Sequence, residues 1–150
     1  MPNRRQFLRG AAAVAAGAMA TGLYTWRVEP VWVEFVHRPL PIANLPAALV
    51  GKTLAQVSDL HIGPLVDDDY LIASLRRLAL LQPDIVALTG DLITYRSPAV
   101  FGQVRRVLAA LPRGRLGSVA ILGNHDYGPG WADADIANQV RDELAAVDVR

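Results

Sequence analysis

Three short apolar runs, Leu54–Val57, Ile85–Leu88 and Val119–Leu122, punctuate this chain, and each stops against a polar cluster. Short, mainly apolar runs of this length predict buried strands. Between them the apolar positions recur with a helical period. Asp67-Asp68-Asp69 supplies an acidic start, Leu71, Leu75, Leu78 and Ala79 share a face, and Pro83 halts the segment, so a helix is predicted through Leu81. Ser97-Pro98 resembles an N-cap followed by proline at the first helical position. It opens a predicted helix to Leu111, with Val100, Val104, Val107, Leu108 and Leu111 on one side. Gly128-Pro129-Gly130 turns the chain, and a last helix is expected from about Asp133 to Ala146. Upstream, Val31–His37 is β-branched and aromatic and predicts a further strand, broken by Arg38-Pro39-Leu40-Pro41 and Asn44-Leu45-Pro46.

The order from Leu54 onward is β-α-β-α-β-α, which predicts an α/β fold with mostly parallel strands covered by helices. In open sheets of this kind, ligands bind beyond the carboxyl ends of the strands. All three polar clusters fall there. Asp148-Val149-Arg150 is expected to lead into another strand, so the sequence reads as about half of a larger layered domain.

The N-terminus departs from this pattern. Asn3-Arg4-Arg5-Gln6-Phe7-Leu8-Arg9 resembles the twin-arginine export motif of bacteria, and an uncharged Ala/Gly-rich stretch from Gly10 to Leu23 follows. A spanning helix needs about 20 strongly apolar residues, whereas alanine and glycine bury little surface. Residues 1–26 are therefore expected to be an export signal that can also anchor or touch the membrane through residues 10–26. Ala18-Met19-Ala20 offers a cleavage site, and Tyr24, Trp26 and Trp32 suit a membrane interface. The expected partner for export is the twin-arginine translocase, and the expected location is the periplasm or the outer face of the inner membrane. Residues 27–150 are expected to form the catalytic-type domain.

Charge and composition exclude more than they assign. The formal net charge is +1, but Arg4, Arg5 and Arg9 lie in the signal, and without them acids outnumber bases. Charge gives no case for a nucleic-acid partner. The chain has no cysteine, which removes disulfides, thiolate metal sites and thiol nucleophiles. No Gly-x-Gly-x-x-Gly loop, phosphate-loop lysine or Ser-His-Asp arrangement offers a rival chemistry.

The three clusters are Ser58-Asp59-Leu60-His61-Ile62-Gly63, Gly90-Asp91 and Gly123-Asn124-His125-Asp126. In extended backbone, residues two apart point the same way, so Asp59 and His61 are expected to grip one metal. Gly90 allows close backbone approach, and Asp91 offers two oxygens that can bridge a pair of metals. Asn124 can ligate through a neutral carbonyl without adding charge. His125 can contact a phosphate or protonate a leaving oxygen, with Asp126 expected to orient that imidazole. Each cluster alone is compatible with an ordinary loop. Their recurrence, each after a strand and with a helix between, argues for one shared site.

With these motifs the chain resembles the calcineurin-like metallophosphoesterases, and among them the twin-arginine-exported bacterial phosphodiesterases of the YaeI/YkuE type. The signal and the segment from Glu29 to Arg38 share in that likeness. The resemblance implies a four-layer α/β/β/α sandwich, of which this sequence holds the N-terminal half. It implies two divalent ions (Mn, Fe, Zn or Mg), with Asp59 and His61 on the first, Asp91 bridging and Asn124 on the second. His125 and Asp126 would be catalytic, and the reaction would be hydrolysis of a phosphodiester, lipid- or envelope-derived in an exported protein. The family completes its site with later histidines, including Gly-His-x-His, and none follows Asp126. The remaining histidine, His37, lies upstream on the first predicted strand and is expected to be structural. The chain alone is accordingly expected to be inactive. Two other readings stand beside the enzyme: a degenerate metal-binding domain without turnover, and a membrane-tethered binding module without metal.

Overall fold

The computed structural model describes residues 3–27 and 33–150. It divides into two compact units, Met1–Leu40 and Pro41–Arg150.

In the first unit, helix α1 runs Arg4–Arg27. Asn3 and Gln6 cap its start reciprocally. The Gln6 amide donates to Asn3 Oδ1 at 2.9 Å, and the Asn3 amide donates to Gln6 Oε1 at 3.0 Å. Among the described residues, no helix is long and apolar enough to cross a membrane. The strand predicted at Val31–His37 is not found: Val31 and Trp32 lie outside the described residues, and residues 33–37 form no strand. β-branched composition favours extension, but pairing makes a strand, and the sheet of the second unit takes its strands from elsewhere.

That sheet has three parallel strands in the order β1-β2-β3: β1 Leu54–Val57, β2 Ile85–Thr89 and β3 Gly117–Ile121. Helices α2 (Asp68–Ala79), α3 (Val100–Leu108) and α4 (Ala134–Ala145) connect or follow them. The α/β class and parallel order are those expected from the apolar pattern. Val149 and Arg150 run along the free edge of β3. The Arg150 amide donates to the Ser118 carbonyl at 3.1 Å, and the Arg150 carbonyl accepts from the Ala120 amide at 2.7 Å.

Helix ends follow local chemistry. Asp67 caps α2 by accepting the Tyr70 amide at 3.0 Å, and Asp133 caps α4 by accepting the amides of Asp135 and Ile136. The expectation that Ser97 caps α3 is corrected: α3 begins at Val100 with Ala99 as its flanking residue. The carbonyls of Ser97 and Pro98 accept from the amides of Val100 and Phe101, three residues on, which makes a tighter turn ahead of the helix.

The core lies on one face of the sheet. Leu71 and Leu75 of α2, Val100, Phe101, Val104 and Val107 of α3, and Val140 and Leu144 of α4 pack with Val86 and Leu88 of β2. On the other face Leu54, Val119 and Ile121 are 52, 50 and 64% exposed. With the helices on one side, the three strands deliver their polar clusters to the same end of the sheet.

Candidate metal centre

Past β1 and β2 the two chains continue side by side as irregular backbone. The amides of Asp59, His61 and Ile62 donate to the carbonyls of Gly90, Asp91 and Leu92 at 3.1, 3.0 and 2.8 Å. Asp59, His61 and Asp91 all take left-handed backbone, with φ of 56°, 45° and 53°. Non-glycine residues rarely enter that region, and such strain costs about 1–3 kcal/mol each. The ladder on both sides holds them there. Asp59 and His61 share a side, as expected, but left-handed backbone and not an extended strand puts them there.

The result is a close group. One ligand atom from each of Asp59, His61 and Asp91 lies within 4.8 Å of the others. Asp59 Oδ1 is 3.9 Å from His61 Nε2, and the Asp59 side chain is 63% exposed. Ser58 Oγ donates to Asp59 Oδ2. His61 Nδ1 lies 3.1 Å from Thr94 Oγ1, a contact that fixes the ring and leaves Nε2 facing the carboxylates. Among the described residues, neither Asp59 nor Asp91 pairs with a lysine or arginine.

The third cluster joins through Asp91. Its Oδ1 accepts the His125 amide at 3.0 Å. A Cβ on Gly123 would lie 2.5 Å from the Asp91 amide nitrogen and would strike Asp91 Oδ1. A Cβ on Gly90 would lie 2.6 Å from the Gly123 amide nitrogen. These two glycines let the β2 and β3 loops touch along main chain. The His125 ring meets His61 edge-on, centroids 4.9 Å apart at 83°. Asn124 precedes the short 3₁₀ turn His125–Tyr127, is exposed, and makes no side-chain cap bond to it.

Asp126 behaves differently from the expectation, which made it orient His125. Its carboxylate turns inward, fully buried, with Oδ1 accepting the amides of Leu92 (2.8 Å) and Ile93 (3.1 Å) and Oδ2 accepting that of Gly123 (2.9 Å). The physical reason is the 3₁₀ turn, which sends successive side chains to different sides. Burial raises the Asp126 carboxyl above the ordinary carboxylate range, the three amides draw it back, and the charge of Asp91 pushes it up again. Asp126 thus binds the loop after β2 to the loop after β3.

Two residues here escaped the sequence reading. Thr94 follows Asp91 by three positions in the same loop, which was its only signal. Trp131 lies with its ring 5.9 Å from that of His125, tilted by 58°. Two open clefts lie nearby, one of about 540 Å³ lined by Tyr95, Pro129, Asp133, Asp135, Ile136 and Gln139, the other of about 470 Å³ lined by residues from Gly63 to Asp69 with Gln103 and Arg106. Asp59, His61 and Asp91 line neither cleft and stand on an open rim.

Carboxylate oxygens and an imidazole nitrogen, gathered with no lysine or arginine paired to them among the described residues, are a donor set for hard or borderline divalent metals. Comparison with known proteins agrees. Residues 1–21 match the twin-arginine translocation pathway signal sequence, which marks the chain for export across the inner membrane to the periplasm. The chain is 30% identical over 115 residues to the UDP-2,3-diacylglucosamine pyrophosphatase LpxG of Chlamydia muridarum, covering 77% of this chain and 35% of that protein. It is 30% identical over 136 residues to the uncharacterized metallophosphoesterase YkuE of Bacillus subtilis, covering 84% and 46%. It is 39% identical over 99 residues to a transmembrane protein with metallophosphoesterase domain of Danio rerio, covering 63% and 21%. The chain spans less than half the length of each of these relatives. No solved structure gives a significant match. Residues 52–148 match the model of the calcineurin-like phosphoesterases, which takes in all three polar clusters, and the chain belongs to that family.

Proposed function

We propose that the whole protein is a metal-dependent phosphoesterase of the periplasmic space that hydrolyses phosphodiester bonds. The observation that carries this is the Asp59–His61–Asp91 group, three donors within 4.8 Å with, among the described residues, no lysine or arginine paired to either carboxylate. Asp59 and His61 would hold a first divalent ion, Asp91 would bridge to a second, and Asn124 would hold the second through its carbonyl. A bound pair of ions supplies charge to the phosphate oxygens and lowers the pKa of the attacking water. Thr94 holds the His61 ring in place. His125, whose backbone amide donates a hydrogen bond to Asp91 Oδ1, delivers a proton to the leaving oxygen from its imidazole. Asp126 contributes by keeping the two loops in register.

Residues 1–26 serve as export signal with membrane contact through residues 10–26, and residues 27–150 form the N-terminal part of the phosphoesterase domain. A lipid- or envelope-derived phosphoester suits this location, and the name of the LpxG relative, a pyrophosphatase of an acylated sugar nucleotide, supports that substrate class. The 150 residues alone hold metal weakly and are inactive, since three clustered donors and Asn124 are few ligands for two ions. The test is hydrolysis of bis(4-nitrophenyl) phosphate by the whole protein. Activity should vanish on exhaustive chelation and return with added Mn²⁺, and activity that survives chelation overturns the proposal.

A further inference from the structure

Trp131 is 61% exposed, so its indole is spent neither on the core nor on a helix face. Its backbone is left-handed, φ 58°, an outlier for so bulky a residue. The turn that carries it enforces this conformation. Gly128 and Gly130 also have positive φ, the Trp131 amide donates to the Gly128 carbonyl at 3.0 Å, and the Asp133 amide closes back on Tyr127 at 2.9 Å. A strained, exposed aromatic next to a reactive group is an observation that asks for a purpose. The ring lies against His125, and His125 lies edge-on against His61, so a row of rings leads from the metal donors out to the indole.

We propose that Trp131 is a specificity-determining residue that stacks on a planar aromatic substituent of the phosphoester, on the leaving-group side of His125. The proposal rests on the phosphoesterase reading above. A phosphate at the Asp59–His61–Asp91 group carries its leaving oxygen toward His125, and a substituent on that oxygen continues past the imidazole onto the indole. The face is uncharged and flat, which suits an aryl or nucleobase ring in offset stacking. A purely structural Trp131, packing against His125 to steady it, would be indifferent to the substituent.

Calorimetric titration of the whole protein in excess Mn²⁺ separates these roles, with phenyl, cyclohexyl and methyl phosphate as ligands. Trp131→Ala should weaken phenyl phosphate about tenfold, the scale of one good aromatic contact. Cyclohexyl phosphate should lose less, and methyl phosphate should stay within about twofold. Trp131→Phe, which keeps a ring and disturbs the turn less, should restore most of the phenyl preference. With Trp26→Phe and Trp32→Phe, which remove the other two tryptophans of these 150 residues, emission should shift with phenyl but not methyl phosphate, and a further Trp131→Phe should abolish that shift. Equal weakening of all three ligands, or no weakening of any, overturns the proposal. Failure of methyl phosphate to bind with Trp131 intact overturns the phosphoesterase reading itself, and the proposal falls with it.

Discussion

The two ends of the same sheet treat their carboxylates in opposite ways. At the amino ends of the strands, Asp84 is 4% exposed and saturated. It accepts the Thr53 amide at 2.9 Å and hydroxyl at 3.0 Å, receives Arg115 Nη2 at 2.8 Å, and has Lys52 Nζ at 3.8 Å. The contacts come from just before β1 and β3, and Asp84 itself stands just before β2, so one side chain aligns three strand starts. At the carboxyl ends, Asp59 and Asp91 stand near one another and two imidazoles, with no lysine or arginine paired to them among the described residues. Like charges held together without compensation destabilise a fold, so the strained backbone and the uncompensated charge occur at one place.

The sharpest attempt to break this contrast is Asp91→Asn. It removes the charge that both metals would share, and should give the largest loss of activity in the whole protein together with a loss of bound metal by elemental analysis. His125→Ala should come next, slowing turnover by roughly 10²–10⁴ while leaving metal content near wild type. Equal metal loss in the two variants would show that the roles are wrongly assigned.

Asp126→Ala tests a carboxylate that lies at the carboxyl end yet behaves like one at the amino end. It strands three buried amides and should lower stability by about 3 kcal/mol in urea unfolding. A change within experimental error would mean that the two loops do not depend on it.

The smallest effect is expected at Asp84, and its signature is the way stability changes with pH. The Thr53 amide holds the Asp84 carboxyl below its ordinary value of 3.8 against the push of burial, with the Thr53 hydroxyl, Arg115 and Lys52 acting in the same lowering direction. A lowered folded pKa means that the ionised form favours folding. This stabilisation is complete above the unfolded carboxylate range and is lost as pH falls through the lowered value. Asp84→Asn should therefore flatten the acid limb of a stability profile taken from about pH 7 downward. An acid limb as steep as wild type would show that the steepness comes from other groups.

Much of this was legible in one dimension. β1 begins and ends where its apolar run does, because Ser58 and Asp59 leave the core at once, and α2 and α4 start beside the aspartates that cap them. The site was legible as a set of residues because the topology itself brings three strand ends together. Its conformation was not. Nothing in the spacing Asp59-Leu60-His61 reveals left-handed backbone, which the neighbouring loop imposes through long-range hydrogen bonds. Asp126 follows His125 in sequence but not in space, because its carboxylate turns inward to the amides of Leu92, Ile93 and Gly123. The strand expected at Val31–His37 rested on composition, and composition supplies no partner.

The junction of Gly90 with Gly123 also bears on how such a protein can diversify. Each absent side chain makes room for main chain, so a change at one position offers the other no relief, and paired replacements should fail as singles do. A saturation library would record two independent dead ends and no compensating pair. New substrate preferences would then have to arise from surface segments that never enter the junction, and the turn carrying Trp131 is one such place.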